Sequence, residues 1–295
     1  MTGGNLSMEI SHASFRIIAD LLAERTGQNL TDNRKWRLTS ALSGVFRNHG
    51  IDNIDQLVCL LDATPSRFEY EKLAGEIVEA LLNNETYFFR DKPTFDQIPL
   101  ELLPELRERR AHRRQLSIWC AGCSTGQEVH SLGMQFEEQK AQWAGWNIEI
   151  LGTDISQKAI ETARKGLYSQ FEVQRGLGVA AMLNHFDETA EGWQLRDNAR
   201  RLSRFKQHNM LEQSATKGRF DLILCRNVLL YFDAKTRALA YQRLAGALAS
   251  DGFLMLGAGE TVSAHTDAFV LSKDRVSVFE PNNAVLHAEQ LTQIA

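Results

Sequence analysis

Three short motifs carry polar side chains that could hold a ligand, and each follows an apolar run. SIWCAG leads into the loop Cys123-Ser-Thr-Gly-Gln-Glu128, EILGT is followed by Asp154, and FDLIL leads into Cys225-Arg-Asn-Val-Leu-Leu-Tyr-Phe232. A glycine-rich turn lets the backbone approach a ligand, and a helix that starts there offers unpaired N–H groups. An acidic residue at the end of the second strand of such folds accepts hydrogen bonds from ribose hydroxyls. Together the motifs favour a nucleoside ligand without a phosphate chain.

Other interpretations of these motifs stay open at this stage. Cys120 and Cys123 form a C-x-x-C pair, although small residues lining a close backbone approach explain them more simply. The pattern has no second Cys/His pair for zinc, and the dinucleotide signature G-x-G-x-x-G is missing. Asp154 could instead cap a helix, as could Ser156. Arg226 needs an acidic partner or a ligand if it is buried.

Strands must alternate with helices to position these motifs, since short apolar runs recur between amphipathic stretches from Gln115 onward. This pattern predicts a parallel sheet covered on both faces. Residues 269–271 and 276–279 suggest a final hairpin that adds an antiparallel strand. The interval 168–208 is too long for one crossover and predicts an inserted β-subdomain. The predicted class is therefore α/β.

The first 84 residues show helical apolar spacing without a convincing strand, and Gly27 and Gly50 are expected to end helices. We therefore predict a helical domain over 1–84 and a larger domain over 85–295. A basic stretch without acidic residues lies in the first domain and is either a solvated surface or a dock for an acidic partner; it comprises Arg34, Lys35, Arg37 and Arg47. The arginine-rich run before Gln115 is interpreted mainly as solvated helix surface.

Composition and charge argue against several classes of protein. A formal net charge of -4 argues against a generally nucleic-acid-binding surface. The sequence shows no run of the ~20 apolar residues that spans a bilayer, and its first ten residues show neither the basic nor the apolar region of a signal peptide. A cytoplasmic location without membrane insertion is therefore expected. The four cysteines fit a reducing compartment, with Cys59 and Cys225 expected to be buried thiols.

The motifs resemble those of the CheR family, the chemotaxis receptor glutamate methyltransferases. N-x-T-x-F-F-R appears as Asn84 to Arg90, the C-S-T-G-x-E loop as Cys123 to Glu128, and C-R-N-V-x-x-Y-F as Cys225 to Phe232. The resemblance implies a Rossmann-like class I methyltransferase sheet, a helical N-terminal domain that docks on receptor helices, and a small inserted β-subdomain. It also implies S-adenosylmethionine as cofactor, S-adenosylhomocysteine as product, and no metal.

By the same resemblance, the cofactor site would be lined by Asn84, Thr86, Arg90, Glu128, Asp154, Asn209, Met210, Arg226 and Asn227. Arg90 and Tyr231 would face the methyl-transfer centre. Because a glutamate is already a carboxylate at neutral pH, the transfer needs no general base. Arg90 is then expected to clamp that carboxylate. Tyr231 either donates a hydrogen bond to a reacting partner or packs against the sulfonium.

The chain departs from the family pattern in two places. The usual E-E-P-Y is Gln127, Glu128, Val129 and His130, and Gly259 replaces a serine before Glu260. The loop between Phe186 and Trp193 looks shorter than in members that bind the receptor's C-terminal tail, which argues against tail binding. These departures leave a non-catalytic S-adenosylmethionine-binding or receptor-scaffolding paralogue as the alternative, beside a methyltransferase for small molecules or nucleic acids. The chain is expected to act as a monomer.

Overall fold

The structure is a computed structural model that describes residues 10–213 and 218–285. Its chain divides into two compact units between Asn83 and Asn84. In the described part of the chain, no helix is both long and apolar enough to cross a membrane.

The first unit is helical and has its own apolar core. Its helices are α1 (His12–Thr26), α2 (Leu38–Ala41), α3 (Ser43–His49), α4 (Ile54–Ala63) and α5 (Arg67–Leu81), with a 3₁₀ helix over Asp32–Arg37. α1 and α3 end at Gly27 and Gly50, which adopt left-handed φ angles of 75° and 65° that glycine tolerates without strain. Cys59 is exposed on α4, so the expected buried thiol is wrong there.

The described residues of the second unit form ten strands in two sheets. The strands are β1 (Gln115–Ala121), β2 (Asn147–Asp154), β3 (Leu167–Tyr168), β4 (Phe186–Thr189), β5 (Gly192–Leu195), β6 (Ser203–Gln207), β7 (Phe220–Cys225), β8 (Leu248–Leu256), β9 (Phe269–Leu271) and β10 (Val278–Pro281). The main sheet has the order β6-β2-β1-β7-β8-β10-β9. Its first five strands are parallel, and β10 is antiparallel to β8 and β9. The predicted Rossmann-like sheet is confirmed.

The helices of this unit follow the strands or precede the sheet. They are α6 (Lys92–Phe95), α7 (Leu103–Arg109), α8 (Gln127–Glu138), α9 (Gln157–Lys165), α10 (Gln170–Gln174), α11 (Val179–His185), α12 (Asp197–Arg200) and α13 (Ala234–Ala247). A π-helical turn over Ile98–Leu102 leads into α7, and a 3₁₀ turn spans Leu229–Tyr231. Apolar clusters pack on both faces of the sheet, with Ile118 and Leu222 in one and Trp119 and Ile223 in the other. This alternation along β1 and β7 explains why the strands read as continuous apolar runs.

The inserted β-subdomain is a three-stranded antiparallel sheet in the order β3-β5-β4. Its core centres on Phe88, which meets the rings of Tyr168 and Phe186 edge-on at centroid distances of 5.2 and 5.5 Å. The next aromatic, Phe89, packs edge-on against Phe95 at 5.7 Å. The aromatic run before Arg90 therefore joins the subdomain to the main sheet.

The arginine-rich run before β1 is not simply solvated surface, which corrects that interpretation. Arg110 is only 5% exposed and donates through Nε to the buried Asp221 carboxylate at 2.6 Å. Arg113 also donates to Asp221, whose other oxygen accepts the Ser117 N–H at 2.9 Å. A second carboxylate, Asp251, pairs with Arg110. These contacts hold the segment before β1 against β7 and β8.

Candidate cofactor and methyl-transfer site

The predicted site lies where the parallel strands end. β1, β2, β6 and β7 run in the same direction, so their carboxyl ends meet at one edge of the sheet. This edge is the usual ligand crevice of open α/β sheets. It gathers the loop after β1, Asp154 at the end of β2, Asn209 after β6, and Arg226 and Asn227 after β7.

The loop after β1 is held against the end of β2 by backbone hydrogen bonds. The N–H groups of Gly122 and Cys123 donate to the Thr153 carbonyl at 2.8 and 2.9 Å. Gly122 has φ 78°, and a Cβ on it would lie 2.4 Å from a methyl carbon of Val228. Ser124 also has a left-handed φ of 51°. The loop therefore needs glycine where the segment after β7 passes close by.

Asp154 organises this loop. It is 8% exposed, and its two carboxylate oxygens accept the N–H groups of Ser124 and Ser156 at 2.8 and 2.9 Å. The helix-cap role falls to Ser156, whose hydroxyl accepts the Ala159 N–H at the start of α9. Asp154 thus sits at the crevice with its carboxylate oriented by backbone donors, in the position of a ribose-binding acid.

Arg226 is the buried centre of the site, with a side chain that is 1% exposed. It donates to Glu128 Oε2 at 2.9 Å, to the Arg90 carbonyl at 2.6 Å and to Asp91 Oδ2 at 3.2 Å. The partner that the sequence left open is therefore structural. Arg226 ties β7 to the first turn of α8 and to the segment that carries Arg90.

Asn227 takes a left-handed φ of 60°, which Glu260 helps to hold. Glu260 Oε2 accepts the N–H groups of Asn227 and Gly257 at 2.7 and 2.9 Å. The buried Oδ1 of Asn227 has no hydrogen-bond partner among the described residues. Glu260 was missed as a site residue, although its place after the glycine turn that ends β8 was a usable signal.

The segment Asn84 to Arg90 is bound to the same loop. The Asn84 carbonyl accepts the Ser124 hydroxyl at 2.7 Å, and the Phe89 N–H donates to Ser131 Oγ at 3.0 Å. Arg90 donates to the Glu85 carbonyl at 3.1 Å, and its guanidinium lies 5.5 Å from the Tyr87 ring centre. Arg90 is half-buried, and its guanidinium contacts residues of its own segment.

The remaining predicted site residues are Thr86, Tyr231, Asn209 and Met210. Thr86 is half-buried, and so is Tyr231 in its 3₁₀ turn. Asn209 Oδ1 accepts the Leu211 N–H at 3.0 Å. Met210 is 7% exposed and belongs to the apolar cluster that contains Trp119. The packing of Met210 therefore gives it a core role whatever it contacts in a bound ligand.

Cys120 and Cys123 are free, buried thiols. Burial raises the pKa of both thiols well above the ordinary value, which disfavours the reactive thiolate. Among residues 10–213 and 218–285, no group of three or more His, Cys, Asp or Glu side chains could hold a metal ion. Their burial and raised pKa values disfavour a reactive redox pair, and small residues at the close approach of Gly122 and Val228 remain the simpler interpretation.

The predicted basic residues of the first unit do not all share one site. Arg34 and Arg37 line a shallow cleft beside the ends of α1 and α5. Lys35 instead lies over the Phe15 ring at 5.3 Å, and Arg47 is exposed on α3. Trp36, between them, is 77% exposed, which the sequence pattern did not indicate.

Comparisons with known proteins identify the family of this chain. Residues 84–278 match the family described as CheR methyltransferase, SAM binding domain. The chemotaxis protein methyltransferase of Vibrio parahaemolyticus is 32% identical over 89% of this chain and 94% of its own length. Chemotaxis protein methyltransferase 1 of Pseudomonas aeruginosa is 31% identical over 89% and 95%, and chemotaxis protein methyltransferase Cher2 of Pseudomonas putida is 30% identical over 91% and 95%. The chain therefore belongs to the CheR methyltransferase family, and S-adenosylmethionine is its cofactor.

Proposed function

We propose that this protein transfers a methyl group from S-adenosylmethionine to the side-chain carboxylate of glutamates in chemoreceptor cytoplasmic helices. The observation that carries the proposal is the buried Arg226, which binds Glu128 in the loop helix and the Arg90 carbonyl together. This contact fixes the backbone at Arg90, and we assign the guanidinium of Arg90 to the acceptor side of the cofactor crevice. A permanently charged guanidinium suits a carboxylate acceptor, because it can donate two parallel hydrogen bonds.

The polar groups of the crevice fit the proposed cofactor. A carboxylate at Asp154 suits ribose hydroxyls. The buried Asn227 Oδ1, which lacks a partner among the described residues, offers an acceptor for an amine or ammonium group of the ligand. Asn84, Thr86, Glu128, Asn209, Met210 and Arg226 complete the proposed binding residues.

The cofactor supplies an activated methyl group on a sulfonium sulfur. The chain must hold the acceptor carboxylate in line with that group and exclude water, since a glutamate at neutral pH needs no proton removed. We assign the positioning of the carboxylate to Arg90. Tyr231, two residues beyond Leu229 in the turn after β7, is assigned a hydrogen bond or a ring contact at the reacting groups.

The helical unit is proposed to dock on an acidic receptor surface through Arg34, Lys35, Arg37 and Arg47. Opposite charges steer association mainly through its rate and are screened by salt. Arg34→Glu with Arg37→Glu should therefore slow methylation at low salt. Arg16→Glu with Arg67→Glu is a matched double reversal in the same unit, at exposed positions of α1 and α5. Equal rates for both variants would contradict docking through this cleft.

The function is tested by incubating the protein with methyl-labelled S-adenosylmethionine and purified receptor cytoplasmic fragments. We expect label that alkali releases as methanol, because carboxyl methyl esters are labile to base. A protein that binds the cofactor but yields no labile label with any receptor fragment would contradict the proposal and support a non-catalytic scaffold.

Arg90 is tested separately from cofactor binding. Arg90→Ala should abolish transfer while the cofactor Kd changes little, because Arg226 contacts only the main-chain carbonyl of Arg90. Arg107→Ala is a control, since Arg107 is a half-buried arginine of α7 whose guanidinium bonds Gln142. Near wild-type turnover in Arg90→Ala would refute the clamp.

A further inference from the structure

A second cavity lies beside the edge strand of the main sheet, outside the crevice described above. Its volume is about 470 Å³, within the ordinary range for small-molecule sites. Helices α8, α9 and α12 and strand β6 supply its walls, and the lining residues are His130, Arg164, Asp197, Arg200, Arg201, Ser203, Arg204 and Phe205. Four of these eight residues are arginines and only one is acidic.

The arginines are weakly neutralised. Among the described residues, Arg164 and Arg204 have only backbone carbonyls as hydrogen-bond partners. Arg200 lies 3.8 Å from Asp197, whose side chain is 99% exposed, and Arg201 lies 3.6 Å from Glu137. The pair with the solvated Asp197 contributes little, whereas Glu137 is only 12% exposed and neutralises part of the Arg201 charge. Arg164 on α9, Arg200 on α12 and Arg204 on β6 therefore bring three weakly compensated guanidinium groups to the cavity.

Two buried polar groups in the wall also lack partners among the described residues. They are Nδ1 of His130, which is 1% exposed, and Oγ of Ser203. His130 contacts the Ala163 carbonyl through Nε2 at 3.0 Å, so the neutral ring keeps Nδ1 as an acceptor. Buried polar groups are normally satisfied by protein, water or ligand. The cavity wall therefore contains two hydrogen-bonding atoms without a described partner, together with the partly buried ring of Phe205.

We propose that this cavity binds a phosphate-bearing small molecule. Arginine is the side chain that best matches phosphate, because its planar fork gives paired charge-assisted hydrogen bonds. A hydroxyl or N–H of the same ligand would donate to His130. A recess of this volume suits a nucleotide-sized compound, and the site is independent of the proposed methyl acceptor.

Ligand binding in this cavity should change the affinity of the crevice for the cofactor, and α8 connects the two sites. His130 lies two residues after Glu128, the partner of Arg226, and both belong to the first turns of that helix. A ligand held against His130 would restrain these turns. Reciprocal linkage then requires the ligand and the cofactor to change each other's affinity by the same factor.

Isothermal titration calorimetry with pyrophosphate and with ATP tests the site, in saturating S-adenosylhomocysteine so that the crevice is blocked. We expect saturable binding that weakens with salt and that falls at least about tenfold in Arg204→Gln and further in Arg200→Gln with Arg204→Gln. Lys165→Gln is the control, because this exposed cation ends α9 without lining the cavity. His130→Phe should weaken ATP binding and spare pyrophosphate.

The outcomes separate the alternatives. Unchanged affinity in the arginine variants, or absence of binding to either probe up to about 1 mM, would overturn the proposal. Co-sedimentation with phosphatidylglycerol vesicles without pyrophosphate or ATP binding would also overturn it, by assigning the arginines to a lipid surface. Thermal unfolding of each variant with S-adenosylhomocysteine shows whether the fold and the cofactor crevice are retained. The exposed Arg204 is the substitution least able to disturb them.

Discussion

Replacing Arg226 with methionine is the perturbation that most directly probes the architecture of the site. The change keeps much of the apolar stem and removes the guanidinium that joins Glu128, Asp91 and the Arg90 carbonyl. Glu128 is only 13% exposed, so it would keep its charge with little access to water. Removing one partner of a buried pair costs about 3–5 kcal/mol. Because Asp91 is 29% exposed and recovers solvent, we expect about 3 kcal/mol.

Urea unfolding followed by tryptophan fluorescence measures this loss. The Trp36→Phe background is useful, because the other four of the five tryptophans then report only on residues 84–295. Arg226→Met with Glu128→Gln should recover about 1–2 kcal/mol, since the stranded charge is removed. Arg107→Met is the control and should stay within about 0.5 kcal/mol of wild type.

Two results would refute the reasoning on Arg226. If Arg226→Met lowered the free energy of unfolding by less than about 1 kcal/mol, the buried network would stabilise the fold no more than ordinary surface contacts do. Strict additivity of the Arg226 and Glu128 changes would mean that the two side chains are not energetically coupled. Cofactor affinity measured on the same variants should fall as well, because Arg226 fixes both the loop helix and the Arg90 segment.

Three further predictions concern packing, pH and thiols. Gly133→Ala should lower the free energy of unfolding in urea by about 2 kcal/mol or more, because its Cβ would lie 2.1 Å from the Ala199 carbonyl oxygen. Gly246→Ala is the control: the position is in open space, and the change should raise the free energy of unfolding by up to about 1 kcal/mol. Burial lowers the pKa of His130 from 6.5 to about 4, so between these values only the unfolded chain binds the proton. Wild-type stability should then rise with pH by up to about 1.4 kcal/mol per pH unit relative to His130→Phe, and parallel pH profiles would contradict a buried neutral ring. A thiol reagent should label Cys59 rapidly in the native protein and leave the three buried thiols until unfolding; fast labelling of two or more thiols would be inconsistent with Cys120, Cys123 and Cys225.

Much of the sheet could be predicted because its signals are local. The runs that form β1, β2, β7 and β8 are apolar over the length of a buried strand, and glycine or polar residues stand where each ends. The ends of α1 and α3 were equally local, since Gly27 and Gly50 supply left-handed backbone. The predicted crevice follows from strand direction alone once the strands are assigned.

Features that depend on distant pairing could not be predicted. Arg110 can be buried because it pairs with Asp221 and Asp251. Both carboxylates lie more than a hundred residues later in the chain, so the local sequence does not reveal the pairing. Likewise Arg226 pairs with Glu128 and Asp91, which are distant in sequence, and no acidic residue lies within four positions of it. Cys59 shows the converse error, because an apolar helix leaves one face exposed whatever its composition.

The most direct measurement of the central claim is to locate the transferred methyl group on a receptor fragment. Mass spectrometry of peptides from the labelled fragment should place it on glutamate side-chain carboxylates, and alkali should remove it. Glutamine replacements at those positions should prevent transfer. An alkali-stable methyl group on a lysine or arginine nitrogen, or on a cysteine sulfur, would contradict both the carboxylate acceptor and the role assigned to Arg90.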